Sequence, residues 1–443
     1  MNIQHEKIIV IGAGLAGLTA AYRLMQKGLD VELYEARSRV GGRVQSVFIK
    51  NLTAQYSIGE LGGQNIADGG EAKYIHQLIK ELHLSVEDFE IHFDPLFYDG
   101  AQYFHIQSLL NPLDIDATLL EKPYQSMQEV LDAVFVNDPI LKRFFEFELS
   151  AYEGSPPALL ALHRNLDTLK NLMKRGCPTN ESTVHHKTVQ MQSIKGGNAL
   201  LPLKLADYIG DRLHLNKILT HIERANNRVA LTFKDHEIKL CDKLILALPV
   251  SIYHDISFSD NLIAKKQLDL IKKIQTGRTA KILAPIQLQN RDYSVIFTDN
   301  LVGFLNADKQ IINIHFANDN GKNAFTKTFT QDLSILIAQN DRIKVNNTPP
   351  ILAADKQFDY YESSVAKSWV DDSYAKGSYS NYGIASGDHF QKITSYKNTP
   401  IKEIFYPIQD QIFFIGEHTT VLPEIGTLEA AVESGERLVH MLT

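Results

Sequence analysis

Residues Ile8 to Glu35 constrain the fold more than any other part of the chain. The apolar run Ile8-Ile9-Val10-Ile11 suits a buried strand. It ends in Gly12-Ala13-Gly14-Leu15-Ala16-Gly17, where a helical pattern takes over through Leu18, Ala21, Tyr22, Leu24 and Met25 until Gly28 and Asp30 break it. A second short strand, Val31-Glu32-Leu33-Tyr34, delivers Glu35. A strand, a glycine turn, a helix N-terminus and a carboxylate after the next strand make a dinucleotide site. Gly12, Gly14 and Gly17, with Ala16 among them, let backbone N–H groups approach a pyrophosphate, and the helix start adds unpaired donors and a positive dipole end. Glu35 can accept hydrogen bonds from ribose hydroxyls. This full context favours cofactor binding over a glycine turn that merely packs helix on strand.

Directly after Glu35 come Ala36-Arg37-Ser38-Arg39-Val40-Gly41-Gly42-Arg43. A nicotinamide-binding unit would run on into another helix here. Instead, a second glycine pair and a basic residue follow the carboxylate. In these residues the chain resembles the flavin-dependent amine oxidases, the family of monoamine, polyamine and L-amino-acid oxidases. The resemblance implies that the cofactor is FAD, that Gly42 and Arg43 lie against it, and that the arginine sits near its diphosphate and ring. Ala36 and Arg37, and Ile218 in the later run Leu213 to Ile222, are expected among the cofactor contacts.

At 443 residues the chain exceeds one simple core, and two or three domains are expected. Its 44% apolar and 22% charged residues exclude a largely disordered chain. A net charge of −7 gives no support for nucleic-acid binding. The two cysteines, Cys177 and Cys241, stand far apart, which favours a reducing cytoplasm over a disulfide framework. The first apolar stretch is already used as the nucleotide strand, so no signal peptide is expected. Nor is a membrane span, since no uninterrupted apolar run reaches ~18 residues. With the final helix expected to end at Leu442-Thr443, no membrane-anchoring tail such as mitochondrial monoamine oxidases carry is expected. A homodimer is compatible with the sequence.

The cofactor signals are scattered. Ser193 to Pro202 holds a glycine turn, Gly196-Gly197, followed by a helix start. Three strand-like runs follow: Leu213 to Ile222, Arg228 to Phe233, and Lys243 to Pro249, the last closing at its proline. Ile412-Phe413-Phe414-Ile415 precedes Gly416-Glu417-His418-Thr419. The expected fold is α/β. Residues 1–70, 190–255 and 400–443 form a discontinuous Rossmann-like FAD-binding domain. Residues 71–189 and 256–399 form a mixed α+β substrate-binding domain. Within it, 71–84, Met127 to Phe135 and Leu141 to Leu149 read as helices. Lys281 to Ala284, Ser294 to Phe297 and Ile311 to Phe316 read as strands. The substrate is expected at the domain junction.

The C-terminal block, Phe414 to Thr419 and then Gly426 to Gly435, carries the resemblance again. Leu428, Ala431, Val432, Gly435, Leu438, Val439 and Leu442 make one apolar stripe, which alone would suit any amphipathic terminal helix. The preceding Gly416-Glu417 tips the balance, because the family uses that glutamate near the ribityl–diphosphate portion. A helix starting at Thr427-Leu428 and aimed at the flavin would stabilise charge on its reduced ring. By the same resemblance Gly62 and Gly63, in Glu60 to Gln64, lie near the ring; the alternative is a simple loop turn.

Lys281, flanked by apolar residues, is the expected catalytic residue against the alternative of a solvated strand lysine. In the family a lysine in a similar stretch holds a water against flavin N5, where positive charge favours electron transfer to oxygen. Trp369 to Tyr379 resembles the block that borders ring and substrate, so Trp369 and Tyr379 join the catalytic set; core packing is the other role open to Trp369. Where monoamine oxidases have a flavin-bonded cysteine this chain has Ser378, so FAD is expected to be non-covalent. Tyr379 matches one wall of their aromatic cage, but Thr427 stands at the other, which puts monoamine preference in doubt. His185-His186 and the other histidines lack metal-site spacing, and no Gly-x-Ser-x-Gly elbow appears.

The resemblance therefore implies an oxidase of amines or amino acids, passing a hydride equivalent to flavin N5 and electrons on to O2, with hydrogen peroxide as product. A desaturase or protoporphyrinogen-type oxidase, or a flavoprotein without turnover, is the alternative.

Overall fold

The computed structural model describes residues 6–66, 72–92, 96–99, 101–105, 122, 124–176, 188–260, 262–288, 295–298, 301–306, 308–316, 343–345, 348–386 and 388–443. Cys177 and His185-His186 lie outside them.

Five strands form a parallel sheet in the order Ile412–Phe414, Lys243–Leu246, Lys7–Ile11, Asp30–Tyr34, Leu213–His214. The apolar runs that suggested buried strands supply its centre, with Ile9 opposite both Leu244 and Glu32. Both faces are covered, as an all-parallel sheet requires. On one face Leu15–Gln26, Lys73–Glu81, Leu200–Ile209 and Leu428–Leu442 pack into one core with Ile8, Val10, Ile245 and Phe413. On the other, Ile9, Ile11, Leu244 and Phe414 join a core with Phe233, Tyr253 and Phe405. The terminal helix meets the first helix at Gly435, where a Cβ would stand 2.7 Å from the Ala16 carbonyl oxygen. Both extremities of the chain thus share one core.

The run Leu213 to Ile222 is not one strand. Leu213–His214 closes the parallel sheet, whereas Leu219–Ala225 belongs to an antiparallel sheet with Arg228–Phe233 and Ile238–Cys241. The break has an identifiable cause. Asn216 takes a left-handed φ of 59°, and the Asn216 and Lys217 N–H groups donate to the Arg37 and Glu35 carbonyls.

A nine-stranded sheet holds the other large layer. Ala280–Leu288 pairs with Ile311–Phe316 on one side and Val365–Ser368 on the other, and Leu301–Leu305 continues it. Met127–Val134, Pro139–Glu153 and Leu162–Gly176 cover it through Phe97, Phe144, Phe145 and Leu172. Pro139–Glu153 outruns the apolar stretch Leu141 to Leu149 at both ends. Asp138 caps it by accepting from the Leu141 N–H, Pro139 suits its first position, and Gly154 ends it at φ +68°. The added turn carries Ala151, Tyr152 and Glu153 to the cavity described below. The expected helix 71–84 is Lys73–Glu81, and Ser294 to Phe297 is Val295–Thr298.

A strand pair absent from the sequence reading, Ser46–Lys50 with Tyr56–Glu60, joins Asp359–Tyr361 in a three-stranded sheet and leads into the Leu61 to Ile66 loop. Among the described residues, no helix is long and apolar enough to cross a membrane, and no group of three or more His, Cys, Asp or Glu could hold a metal ion.

Candidate cofactor and substrate site

One cavity of about 730 Å³ runs from the first glycine turn to the helices over the nine-stranded sheet. Its volume falls within the roughly 300–1,000 Å³ of ligand and cofactor sites.

At one end the wall is backbone. Gly12, at φ +105°, has no room for a side chain, since a Cβ would stand 2.5 Å from the Ala247 carbonyl oxygen. Gly14 caps the first helix without any side-chain hydrogen bond, and the first intrahelical bond recorded there runs from Leu18 N–H to Gly14 O. The helix start therefore presents its early N–H groups to the cavity beside Leu15 and Ala16. Gly17 does not line the cavity. A Cβ there would lie 1.9 Å from the Gly12 carbonyl oxygen, so its role is close packing of helix on turn. Gly42 lies against Gly14, with 3.3 Å between its ideal Cβ and the Gly14 Cα.

Glu35 lies at the end of the second strand, its carboxylate accepting from Ala13 N–H at 2.7 Å and Arg37 N–H at 2.9 Å. Burial raises its pKa, against the pull of those two bonds and of Arg37 and Arg39. Ala36, Arg37 and Ile218 line the cavity beside it. The Arg37 guanidinium is taken up by Asp372 and by Asp355 at 3.1 Å, and Lys367 Nζ meets Asp372 at 2.7 Å. Burial pushes Asp372 up, but Arg37 and Lys367 outweigh it and hold the carboxyl well below the usual range. Arg37 therefore faces the cavity mainly as backbone and as fixed charge.

The central wall gathers the residues singled out on resemblance. Arg43 donates to the Ser378 carbonyl and, at 3.1 Å, to Glu417. Glu417 also accepts from Ser380 N–H and Oγ and from Gly426 N–H. Burial raises its pKa, yet Arg43 leads a net lowering, so it stays ionised. Gly416, Glu417, Thr427 and Leu428 all line the cavity, and Thr427 caps the terminal helix by accepting from Ala430 N–H at 3.0 Å. Ser378 Oγ is buried there without a hydrogen-bond partner among the described residues.

Gly62 and Gly63 belong to the loop after Tyr56–Glu60. A Cβ on Gly62 would meet the Arg43 carbonyl oxygen at 1.8 Å, and one on Gly63 the Leu428 side chain at 2.5 Å. Lys281, only 5% exposed, reaches this loop from its strand. Its Nζ donates to Glu60 O at 2.8 Å, Gly62 O at 3.1 Å and Gln64 Oε1 at 3.2 Å. An ammonium has three protons, so these bonds account for all of them. Lys281 thus clamps the glycine loop as well as facing the cavity. Trp369 clamps the same loop, its Nε1 donating to Leu61 O at 2.9 Å.

Sequence reasoning missed two further residues of this clamp. Asn198 Nδ2 donates to Gly63 O and Gln64 O, and its backbone N–H to Glu60. Glu60 also accepts from Ser46 Oγ, and burial pushes its carboxyl up to about 7. The available signal was Asn198 itself, directly after the Gly196-Gly197 turn.

The far end is helical and acidic. Glu148, Ala151, Tyr152 and Glu153 come from Pro139–Glu153, Thr168 and Leu172 from Leu162–Gly176. Val302, Phe304 and His315 come from the sheet, and Glu424 and Ile425 from the segment before the terminal helix. Tyr379 bridges the two ends, its hydroxyl donating to Tyr152 O at 2.5 Å. Burial pushes Glu153 up to about 7; Thr168 lowers it and Glu424 raises it further.

A dinucleotide cofactor fits these observations: a glycine backbone without side-chain bulk, a helix start with no side-chain cap, a carboxylate at the second strand, and a buried unpartnered hydroxyl. Residues 15–287 match the family model for flavin-containing amine oxidoreductases, and the chain belongs to that family. FAD is its cofactor. Among curated relatives, the flavin-containing amine oxidase B of Mus musculus is 26% identical over 307 residues, 62% of this chain and 56% of that one. A nicotine dehydrogenase of Pseudomonas putida is 24% identical over 466 residues, 97% of this chain and 86% of that one. The chain thus spans little more than half the length of the first relatives it resembles, the mammalian oxidases. Among solved structures, putrescine oxidase bound to putrescine superposes with a TM-score of 0.71 at 16% identity, over 98% of both chains. Cyclohexylamine oxidase from Brevibacterium oxydans IH-35A superposes at 0.70 and 14% identity, over 99% of both. These two share the fold.

Proposed function

We propose that this protein is an FAD-dependent oxidase of amines. The observation that carries the reading is the convergence of glycine backbone from both ends of the chain on one cavity whose other end is carboxylate-lined. In this reading residues 1–70, 190–255 and 400–443 bind the cofactor and 71–189 and 256–399 the substrate. The parallel sheet, built from the first set alone, supports the division, although Ser46–Lys50 pairs across it with Asp359–Tyr361.

When bound non-covalently, FAD supplies the acceptor for a hydride equivalent from the carbon next to the substrate nitrogen, and O2 is reduced to hydrogen peroxide. The chain's own residues do the rest. Gly12, Gly14 and Ala16 present backbone to the diphosphate and Glu35 accepts from the ribose. Ala36, Arg37, Ile218, Gly42, Arg43, Gly416 and Glu417 line the remaining cofactor path, with Gly17 packing beneath it. Gly62, Gly63, Thr427 and Leu428 border the ring. Lys281 supplies fixed positive charge beside them, where it stabilises negative charge developing on oxygen. Trp369 and Tyr379 hold the substrate carbon in place and exclude water.

The substrate end favours an amine over an amino acid. Glu148, Glu153 and Glu424 line it, while, of the cavity cations, Arg37, Arg43, Lys217 and Lys281 are engaged by protein acceptors and Lys234 stands beside Ile218 at the nucleotide end. An α-carboxylate would meet like charge. A substrate with a second cationic nitrogen would meet opposite charge, which favours diamines within the class. The cytoplasm is the proposed compartment, a reducing environment suiting a chain with two cysteines.

The test is anaerobic mixing of the FAD-loaded protein with benzylamine, cyclohexylamine, 1,4-diaminobutane and L-leucine. Amines are expected to bleach the flavin, faster as pH rises because the neutral amine reacts, and L-leucine is expected to leave it yellow. Purified protein that takes up no flavin, or that no amine bleaches, would sink the reading.

A further inference from the structure

Among the described residues of the cavity wall, His315 is a side chain to which neither the cofactor nor the carboxylates give a task. Across the nine-stranded sheet, Lys281, His315 and Val302 stand directly opposite one another on three neighbouring strands. All three line the cavity. Lys281 turns its ammonium to the glycine loop. His315 is held between that lysine and the Phe304 ring, whose centroid lies 4.9 Å away at an interplanar angle of 28°. Its Nε2 is buried in the wall and has no hydrogen-bond partner among the described residues. Buried polar atoms in native proteins are nearly always satisfied, so an exception in a ligand cavity points to the ligand. The imidazole is neutral, because burial and then the neighbouring Lys281 charge hold its pKa well below 6.5. A neutral imidazole offers one nitrogen that donates and one that accepts.

We propose that the His315 imidazole, part-exposed in the cavity wall, is a substrate-orienting hydrogen-bond acceptor, receiving an N–H of the neutral amine and so fixing which way its nitrogen lone pair and adjacent C–H bond point. The inference rests on the amine-oxidase reading and adds a specificity determinant to it. An amine with no N–H to give should lose this contact. A cationic imidazole could not accept, which is why the position next to Lys281 suits it.

The experiment compares benzylamine with N,N-dimethylbenzylamine, read as dissociation constants from the perturbation of bound-flavin absorbance before reduction, in anaerobic stopped flow at pH 9.5. The wild-type protein is expected to bind benzylamine about tenfold more tightly. His315→Leu should bring the ratio to about one while leaving the affinity for the dimethyl compound unchanged, and His315→Gln, which keeps an acceptor, should restore much of the preference. Should His315→Leu yield no flavin-loaded protein, His315→Phe, compatible with the Phe304 stack, takes its place with the same expectation. A wild-type ratio near one, or a preference that survives loss of the imidazole, overturns the assignment. If neither amine perturbs the flavin of any variant, the amine-oxidase reading itself fails, and this inference with it.

Discussion

The two ends of the cavity are made from different materials. The nucleotide end is backbone, glycine and paired charge. Gly12, Gly14 and Gly42 leave no side chain in the way, Glu35 is bonded to two N–H groups, and Arg37 is locked to Asp372. The substrate end is side chain: carboxylates, aromatics and an imidazole brought by two helices and a sheet. A diphosphate is the same in every member of such a family, so a backbone cradle can be rigid and generic. A substrate differs between members, and side chains can change without disturbing the backbone. The difference predicts that damage at the first end removes the cofactor, and damage at the second changes preference while the flavin stays.

The largest effect is expected at Gly17. Gly17→Val would drive its Cβ into the Gly12 carbonyl, 1.9 Å away, and that atom is backbone and cannot swing aside. Overpacking typically costs about 1–3 kcal/mol, and more where, as here, the clash is with backbone that cannot move. Gly17→Val is expected to purify without flavin or not to fold, read as the 450 nm absorbance per mole of protein and the midpoint of urea unfolding. Glu148→Gln, at the other end, should keep its flavin. A colourless Glu148→Gln beside a yellow Gly17→Val would reverse the comparison.

The same contrast explains what could be read from the sequence. Ile8 to Glu35 announced its strands, its turn and its carboxylate, because each is a local pattern: an apolar run, glycines at fixed spacing, an acid after the second strand. The terminal helix was legible from its stripe, and Ile311–Phe316 from its alternation. Three features were not legible. The run through Ile218 was broken by a left-handed Asn216 whose cause is the Glu35–Arg37 backbone, about 180 positions away in sequence. The bonds of Lys281 Nζ to the glycine loop and to Gln64 were out of reach because they join positions more than 200 apart in the chain. His315 was read only as part of a strand, since nothing local says that its ring faces a cavity.

Two carboxylates sharpen the comparison further. Glu60 and Glu153 are both pushed up to about 7 by burial, one behind the glycine loop and one in the substrate wall. Between the unfolded value of 4.5 and about 7, the folded protein keeps a proton on Glu60 that the unfolded chain has released. Stability therefore falls as pH rises through that window and is level above it. Glu60→Gln should abolish that share of the slope and raise stability at pH 8 by at most about 3 kcal/mol, measured by urea unfolding at pH 5 and pH 8. Glu153 should contribute a similar slope in the free protein, but a bound dication alters it. A second ammonium favours the ionised carboxylate, so affinity for 1,4-diaminobutane relative to butylamine should climb through pH 7 and lose that climb in Glu153→Gln. A preference flat in pH would remove Glu153 from substrate recognition and leave the two carboxylates alike.

The smallest effect falls where the two materials meet. Thr427 faces the cavity, yet its hydroxyl is spent as the cap of the terminal helix, accepting from Ala430 N–H. Thr427→Val keeps the shape and removes the acceptor, which should cost about 1 kcal/mol of stability, while Thr427→Ser should cost less than half of that. If the hydroxyl also served the cofactor or the substrate, both would weaken in Thr427→Val beyond what the loss of stability explains. The expectation is that flavin content and the benzylamine dissociation constant stay within twofold of wild type, because an oxygen already accepting inside the helix turn is poorly placed to serve a second partner. A tenfold change in either constant with an unaltered unfolding midpoint would make Thr427 part of the binding surface and not of the scaffold.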